Sequence, residues 1–306
     1  MKVAIIGGTG FVGSYLTQQL IECGHVPVLL VRENSRHKVE QAEKCILVNG
    51  DVSDAAAIRQ LLEGADAVIY NIGILRAFPN RGITFEELQL DAPCRVMDAA
   101  MEAGVERFIL MSANGVKAEG TDYQRTKYMA EQYLASSSLK WTVFRPSVIY
   151  GDPKGNQEFV TQLMQQIILS PLPAPLFFNG LLPFNAGGFK LAPVHITDVS
   201  AAFVRALSDE TTIGKILSLC GPDELSWREI LQTIADTLGQ GKLMLPAPAL
   251  AISSVARLLD GFEFFPITRD QITMLMEGNT CNENDFTSLD ITPTRFNQQA
   301  LSYLIN

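Results

Sequence analysis

The chain is 306 residues long, enough to bury a large core and to hold one large or two coupled domains. Its 24 Lys and Arg against 33 Asp and Glu leave a formal net charge of −9, which argues against a general nucleic-acid binder. A hydrophobic content of 47% with 19% charged residues is that of an ordinary globular protein and excludes a disordered one.

The first strong signal is at the start. Lys2–Ile6 is a short apolar run rich in β-branched residues, which predicts a buried strand. Gly7-Gly8-Thr9-Gly10-Phe11-Val12-Gly13 follows at once, and residues 14–23 carry helical spacing. Strand, glycine turn and helix in that order predict a phosphate cradle. Glycines permit a tight turn and let a pyrophosphate approach the backbone, while free N–H groups at the helix start favour an anion. Gly7, Thr9, Gly10, Phe11, Val12 and Gly13 are therefore candidate dinucleotide contacts. The spacing is Gly-x-x-Gly-x-x-Gly, and the plain alternative is a glycine-rich turn with no ligand.

Further strands are predicted at Val26–Val31, 45–48, 67–71, 108–111 and 141–144, with helices at 54–62, 85–103 and 122–135. Such alternation implies a doubly wound α/β fold, a parallel sheet with helices on both faces. Near Arg145-Pro146 the pattern changes. Residues 152–188 are rich in Pro, Gly and Phe, with a helical patch at 159–169. Residues 197–207 predict a helix, Lys215–Leu219 a strand, and 227–238 an amphipathic helix with Ser226 and Glu229 as its capping box. The last seventy residues read as helical or irregular. Residues 1–151 with 193–220 form the expected dinucleotide-binding domain, and 152–192 with 221–306 a smaller substrate or partner lobe.

The end of the second strand should read the adenosine ribose. An acidic residue there suits a free 2′-hydroxyl and Arg suits a 2′-phosphate. Arg32 is a permanently charged planar fork, and Arg36 follows it. NADP(H) is favoured over NAD(H) on that ground, although Glu33 stands where an NAD reader would. Asp51-Val52 closes the third strand, with an adenine acceptor or a helix cap as the roles open to Asp51. Asn71-Ile72-Gly73 closes the fourth, with Gly73 small enough to let backbone pass the ribose. Both lie at carboxyl ends of parallel strands, where such sheets bind ligands.

Thr121-Asp122-Tyr123-Gln124-Arg125-Thr126-Lys127 is the second informative stretch. Thr121 and Gln124 predict a capping box, so Tyr123 and Lys127 lie four apart on one helix face. A nearby ammonium is expected to lower the tyrosine pKa, letting Tyr123 exchange a proton during hydride transfer while Lys127 also holds the nicotinamide ribose. Most Tyr-x-x-x-Lys occurrences are plain helix surface; the place between the fifth and sixth strands singles this one out.

These motifs resemble the extended or atypical branch of the short-chain dehydrogenase/reductase superfamily, with its Rossmann-like fold. The other carriers are Gly50-Asp51-Val52, Arg145-Pro146-Ser147-Val148-Ile149-Tyr150-Gly151 and Pro193-Val194-His195-Ile196-Thr197-Asp198-Val199. Within it the chain is most similar to proteins related to the Rossmann-type accessory subunit of mitochondrial complex I. That rests on residues 123–127, the compact 112–123 interval, and the tail Thr268-Arg269-Asp270-Gln271 with Glu277-Gly278-Asn279. The resemblance implies that Pro146, Ser147, Val148 and Ile149 wall the nicotinamide. It also implies that His195 and Asp198 bind the second lobe to the first. Active members place a Ser or Thr after the fifth strand beside the tyrosine. Here that position aligns with Ala113 or Asn114, and Ser112 is the hydroxyl left to compensate.

Two functions follow: an NADP(H)-dependent oxidoreductase or epimerase acting on a carbonyl or alcohol through Tyr123, Lys127 and Ser112, or a non-catalytic nucleotide-binding accessory, assembly or redox-sensing protein. The expected partner is an unknown small-molecule substrate, with a membrane-surface or protein-complex contact left open. Apolar stretches at 164–184 and 243–259 are broken by prolines, so no transmembrane segment is expected. Phe177, Phe178, Phe184 and Phe189 suggest an apolar pocket, a partner surface or ordinary core. The five cysteines are scattered singly, with no metal-ligand spacing and an odd count, which suggests a reducing compartment. With a strand at the very start and no room for a signal peptide, a cytoplasmic protein is expected.

Overall fold

The computed structural model describes residues 1–180, 182–249 and 268–305. Residues 250–259 of the second apolar stretch lie outside the described residues. The chain forms two units. The first comprises Met1–Pro146, Ile196–Leu219 and Glu283–Thr292; the second comprises Ser147–His195, Cys220–Asn282 and Pro293–Asn306. The sequence pattern assigns residues 283–292 to the smaller lobe. Asp285 instead accepts the Ser218 backbone N–H at 2.6 Å and returns its own N–H to the Ser218 carbonyl at 3.0 Å, tying that segment to the first unit.

The first unit holds a seven-stranded parallel sheet. Its strands are β1 (Lys2–Ile6), β2 (Val26–Val31), β3 (Ile46–Asn49), β4 (Ala67–Tyr70), β5 (Arg107–Met111), β6 (Lys140–Pro146) and β7 (Lys215–Leu219). Their order is β3-β2-β1-β4-β5-β6-β7. The β-branched runs fall in the centre, where both faces are covered, so they read as continuous apolar segments. Ala4, Ile6, Val28, Leu30, Val68 and Phe108 bury one face against α2 (Ala55–Leu62), α3 (Ala92–Glu102) and α4 (Asp122–Ser136). On the other side α1 (Phe11–Glu22) packs against α5 (Ile196–Ala206), and Phe203 of α5 meets Phe144 of β6 at 4.6 Å between ring centroids. The doubly wound α/β fold expected from the alternation is the fold observed.

Local chemistry explains the helix starts. Asp54 caps α2 by accepting the Ala56 and Ala57 N–H groups. Asp51 is therefore not that cap, which removes one of the two roles open to it. Thr121 and Gln124 close the predicted capping box of α4. The predicted helix at 85–103 is interrupted by a π-helical turn at Glu87–Asp91 before α3. Pro93 lacks the N–H that an unbroken α-helix would donate to the Gln89 carbonyl, so the hydrogen-bond register slips.

One buried charge in this unit escaped the sequence reading. Arg107, at the start of β5, donates from Nη1 to the Lys140 carbonyl (2.7 Å) and from Nε to the Ala206 carbonyl (3.1 Å). Its Nη2 reaches Thr142 Oγ1 (2.8 Å) and Thr212 Oγ1 (2.9 Å). Burial lowers its pKa to about 10, which still leaves it charged at neutral pH.

The second unit has its own core around Trp227, at the start of the helix Trp227–Thr237. Ser226 and Glu229 form the expected capping box there. Phe177 and Phe178 are core residues, Phe189 stacks on Trp227, and Phe184 is 90% exposed. The irregular or helical reading of the last seventy residues is corrected at Met244–Pro248, a strand pairing in parallel with Ala174–Phe178. Pro246 and Pro248 hide it in sequence, because proline removes ladder donors and is tolerated in a sheet of two edge strands. Among the described residues no helix is long and apolar enough to cross a membrane.

Two of the cysteines that lie singly in the sequence meet in the structure. Cys220 and Cys281 form a disulfide, with Cα atoms 6.1 Å apart across 61 residues of sequence. Cys23, Cys45 and Cys94 are free. A separation that long carries no local signal: pairing depends on how the second unit brings the two segments together.

Candidate functional site

All seven strands run the same way, so β1 to β6 end on one edge of the sheet. The order reverses between β1 and β4, which opens a crevice there. Gly7 and Asn71 lie on its two sides. Among the described residues nothing donates to the buried Asn71 Oδ1, while the Asn71 N–H donates to the Ile6 carbonyl at 2.9 Å. A Cβ on Gly7 would stand 3.1 Å from the Asn71 carbonyl carbon, and its φ of +94° is one that favours glycine.

The glycine turn fits a pyrophosphate. Gly10 is the N-cap of α1, supplies no side chain to cap it, and is followed by no acidic residue in the first turn. The N–H groups of Phe11, Val12 and Gly13 therefore begin a 12-residue helix that favours an anion. Gly13 serves a different purpose: a Cβ there would lie 2.1 Å from the Gly7 carbonyl oxygen. Gly10 faces open space, its nearest neighbour being the same oxygen at 3.6 Å. Thr9 is half-buried in the turn between them.

Arg32 immediately precedes the short 3-10 helix Glu33–Lys38, makes no side-chain capping bond to it, and is exposed, as is Arg36 within that helix. Asp51 accepts from Ser53 Oγ (2.7 Å) and Ser53 N–H (2.9 Å), and these bonds hold its carboxyl below the usual range, helped by the fields of Arg32 and Arg95. Arg32 thus lies within electrostatic reach of the β3 end. Val52 buries its side chain in the core and leaves only its backbone at the strand end.

Lys127 is buried to 5% exposure. Its Nζ donates to the Met111 carbonyl at 3.0 Å, and a Cβ on Gly73 would lie 3.7 Å from it. The ammonium also stands 5.7 Å from the Tyr123 ring centroid, over its face. Burial lowers the Lys127 pKa to about 8, partly offset by the Glu131 carboxylate. The expectation that Lys127 lowers the tyrosine pKa is corrected. Burial pushes the Tyr123 phenol above its ordinary value, because desolvation outweighs a cation that sits over the ring. Phe85 packs edge-on against the same ring at 6.1 Å.

Ser112 follows β5 and lines the same small recess as Lys127, Gln89 and Tyr70. It is 3% exposed, and its Oγ has no hydrogen-bond partner among the described residues. Asn114 donates its N–H to the Pro146 carbonyl at 2.8 Å, which closes the β5 and β6 ends together.

The first unit thus gathers the glycine turn, Arg32, Asp51, Asn71, Gly73, Ser112, Tyr123, Lys127 and Pro146. Ser147, Val148 and Ile149 belong to the second unit. There Ser147 Oγ donates to the Asn279 carbonyl at 3.1 Å, and Ile149 pairs with Val194. His195, in that unit, packs edge-on against Tyr150 at 5.0 Å, while Asp198 is buried in α5 of the first. Sequence reasoning missed two charged groups of the first unit, Glu131 and the side chain of Arg145, which form an ion pair. The signal was present: Glu131 continues the four-residue spacing of Tyr123 and Lys127.

Known proteins resemble this chain in sequence and in fold. A protein of Arabidopsis thaliana named NADH dehydrogenase (ubiquinone) 1 alpha subcomplex subunit 9, mitochondrial, is 27% identical over 98% of this chain and 76% of its own length. A ceramide reductase of Caulobacter vibrioides is 28% identical over 85% of the chain and 78% of its own length. The NADH-ubiquinone oxidoreductase 40 kDa subunit of Neurospora crassa is 25% identical over 86% and 67%. These relatives correct the partner reading, which put a small-molecule substrate first: several of them are named as subunits of a larger assembly. The solved UDP-glucose 4-epimerase of Thermus thermophilus with NAD superposes with a TM-score of 0.73 at 18% identity, over 99% of this chain and 97% of that one. At that identity the likeness establishes the fold. A family model described as NAD(P)H-binding matches residues 7–166, more than half of the chain, and the chain belongs to that NAD(P)H-binding family.

Proposed function

We propose that the first unit binds NADP(H) and that Tyr123 and Lys127 serve an oxidoreductase or epimerase reaction on a carbonyl or alcohol. The observation that carries this reading is the burial of the Lys127 ammonium between Gly73 and the Tyr123 ring, on the edge where the glycine turn opens. Bound nucleotide would supply or accept the hydride. Lys127 would donate to the nicotinamide ribose. Tyr123, kept neutral by burial, would give its phenolic proton to a carbonyl oxygen as the carbon gains hydride. A relative named as a reductase supports the enzymatic reading.

The 2′-phosphate choice rests on Arg32 at the β2 end. NADPH should bind more tightly than NADH, and Arg32→Ala should erase most of that preference. A charge-assisted phosphate contact contributes on the order of 1.5–3 kcal/mol, or about tenfold to a hundredfold in affinity. Calorimetric titration with both nucleotides checks this, and a wild-type preference for NADH would point to Glu33 instead.

A second reading, a non-catalytic nucleotide-binding subunit, is favoured by Ser112. Its hydroxyl is buried and has no hydrogen-bond partner among the described residues, and relatives named as subunits match most of the chain. Tyr123→Phe separates the two. With NADPH and a panel of ketones and aldehydes, turnover in the variant should fall roughly a hundredfold while NADPH affinity stays unchanged. A wild-type protein that binds NADPH and reduces nothing in the panel would favour the second reading.

A further inference from the structure

Glu131 lies four residues beyond Lys127 on α4, on the face that carries Tyr123 and Lys127. Its side chain is fully buried. Arg145 of β6 grips it with both arms of the guanidinium, Nε donating to Oε1 at 2.9 Å and Nη2 to Oε2. A bidentate arginine fork of this kind pairs a buried carboxylate and fixes its orientation.

The groups facing Lys127 come from several elements. Tyr123 and Glu131 lie on α4, Tyr70 on β4, the Met111 carbonyl and Ser112 at the end of β5, and Gln89 on the π-helical turn. Arg145 reaches this group through Glu131. Burial holds both phenols neutral. Among the described residues, Glu131 is the anion whose field acts on the ammonium.

We infer that Glu131, clamped by Arg145, is a positioning residue that keeps the Lys127 ammonium charged and in place to receive the nucleotide. This rests on the reading of Lys127 as a nucleotide contact, and the experiment separates the two. Nucleotide-free protein carrying ¹³Cε-lysine is titrated by NMR from acid to alkali, with the Lys127 signal assigned by its loss in Lys127→Met. The wild-type midpoint should fall near the value of about 8 set by its surroundings. In Glu131→Gln it should drop by roughly one pH unit, a tenfold loss of proton affinity. Glu131→Asp keeps the charge but withdraws it by one methylene, and should fall between them. Circular dichroism reports whether each variant folds. A wild-type midpoint in folded Glu131→Gln would overturn the inference. If Glu131→Gln does not fold, a wild-type midpoint in Glu131→Asp would do so.

NADPH titration near pH 8 supplies the second readout. Affinity should fall several-fold in Glu131→Gln and recover in part in Glu131→Asp. A displaced midpoint with unchanged affinity would overturn Lys127 as a nucleotide contact, and with it the positioning role of Glu131, while leaving the electrostatic coupling in place.

Discussion

Gly10→Val should abolish NADPH binding while leaving the protein folded. The backbone at Gly10, with φ −84° and ψ 177°, is extended and open to a β-branched residue. A Cβ there meets only the Gly7 carbonyl oxygen at 3.6 Å, an ordinary contact. The added isopropyl group fills the space through which a pyrophosphate reaches the first N–H groups of α1. Two charge-assisted bonds lost at about 1.5–3 kcal/mol each amount to at least a hundredfold in affinity. Calorimetric titration should detect no binding, and thermal melting should stay close to wild type. Gly13→Val is the contrast. Its Cβ would lie 2.1 Å from the Gly7 oxygen and 2.7 Å from the Gly8 Cα, so that variant should unfold the turn itself. Unchanged affinity in folded Gly10→Val would place the nucleotide elsewhere.

Arg107→Leu should cost roughly 3–5 kcal/mol of stability. The guanidinium serves two backbone carbonyls, Lys140 and Ala206, and two hydroxyls, Thr142 and Thr212. The hydroxyls keep other bonds: Thr142 Oγ1 donates to the Thr212 carbonyl and Thr212 Oγ1 to the Asp209 carbonyl, both at 2.7 Å. The carbonyls lose the charged donor, at about 1–3 kcal/mol each, and the ties between β5, β6 and the end of α5 go with it. Against a typical domain stability of about 5–15 kcal/mol this is a large fraction. Urea unfolding measures it. Arg107→Lys keeps the charge without the planar fork and should recover only part of the loss. A Leu variant as stable as wild type would show that water or a shifted backbone satisfies both carbonyls.

The two variants probe different kinds of information. The glycine turn around Gly10 was legible from residues in a row, because a strand, a turn and a helix are each set by neighbouring residues. Tyr123 and Lys127 were legible for the same reason: four residues on a capped helix share a face whatever surrounds them. Their electrostatics were not. The expected fall in the tyrosine pKa presumed water-like surroundings. The fold instead buries Lys127 and half-buries Tyr123, and desolvation sets the direction for each.

Sequence by itself determined the strand–helix alternation, the parallel sheet it implies, the glycine turn after the first strand and the capping boxes at Thr121 and Ser226, because each depends on neighbours within about one turn or one crossover. Tertiary structure decided what joins distant segments: the four-way grip of Arg107, the clamp of Arg145 on Glu131, the Cys220–Cys281 bond, and the pairing of Met244–Pro248 with Ala174–Phe178. Apart from the four-residue step that puts Glu131 on the face of Lys127, none of these has a period or a spacing. A buried arginine, a lone cysteine and a proline-bearing strand look in sequence like surface charge, free thiol and loop, and only the chain's return to the same place in space gives each its partner.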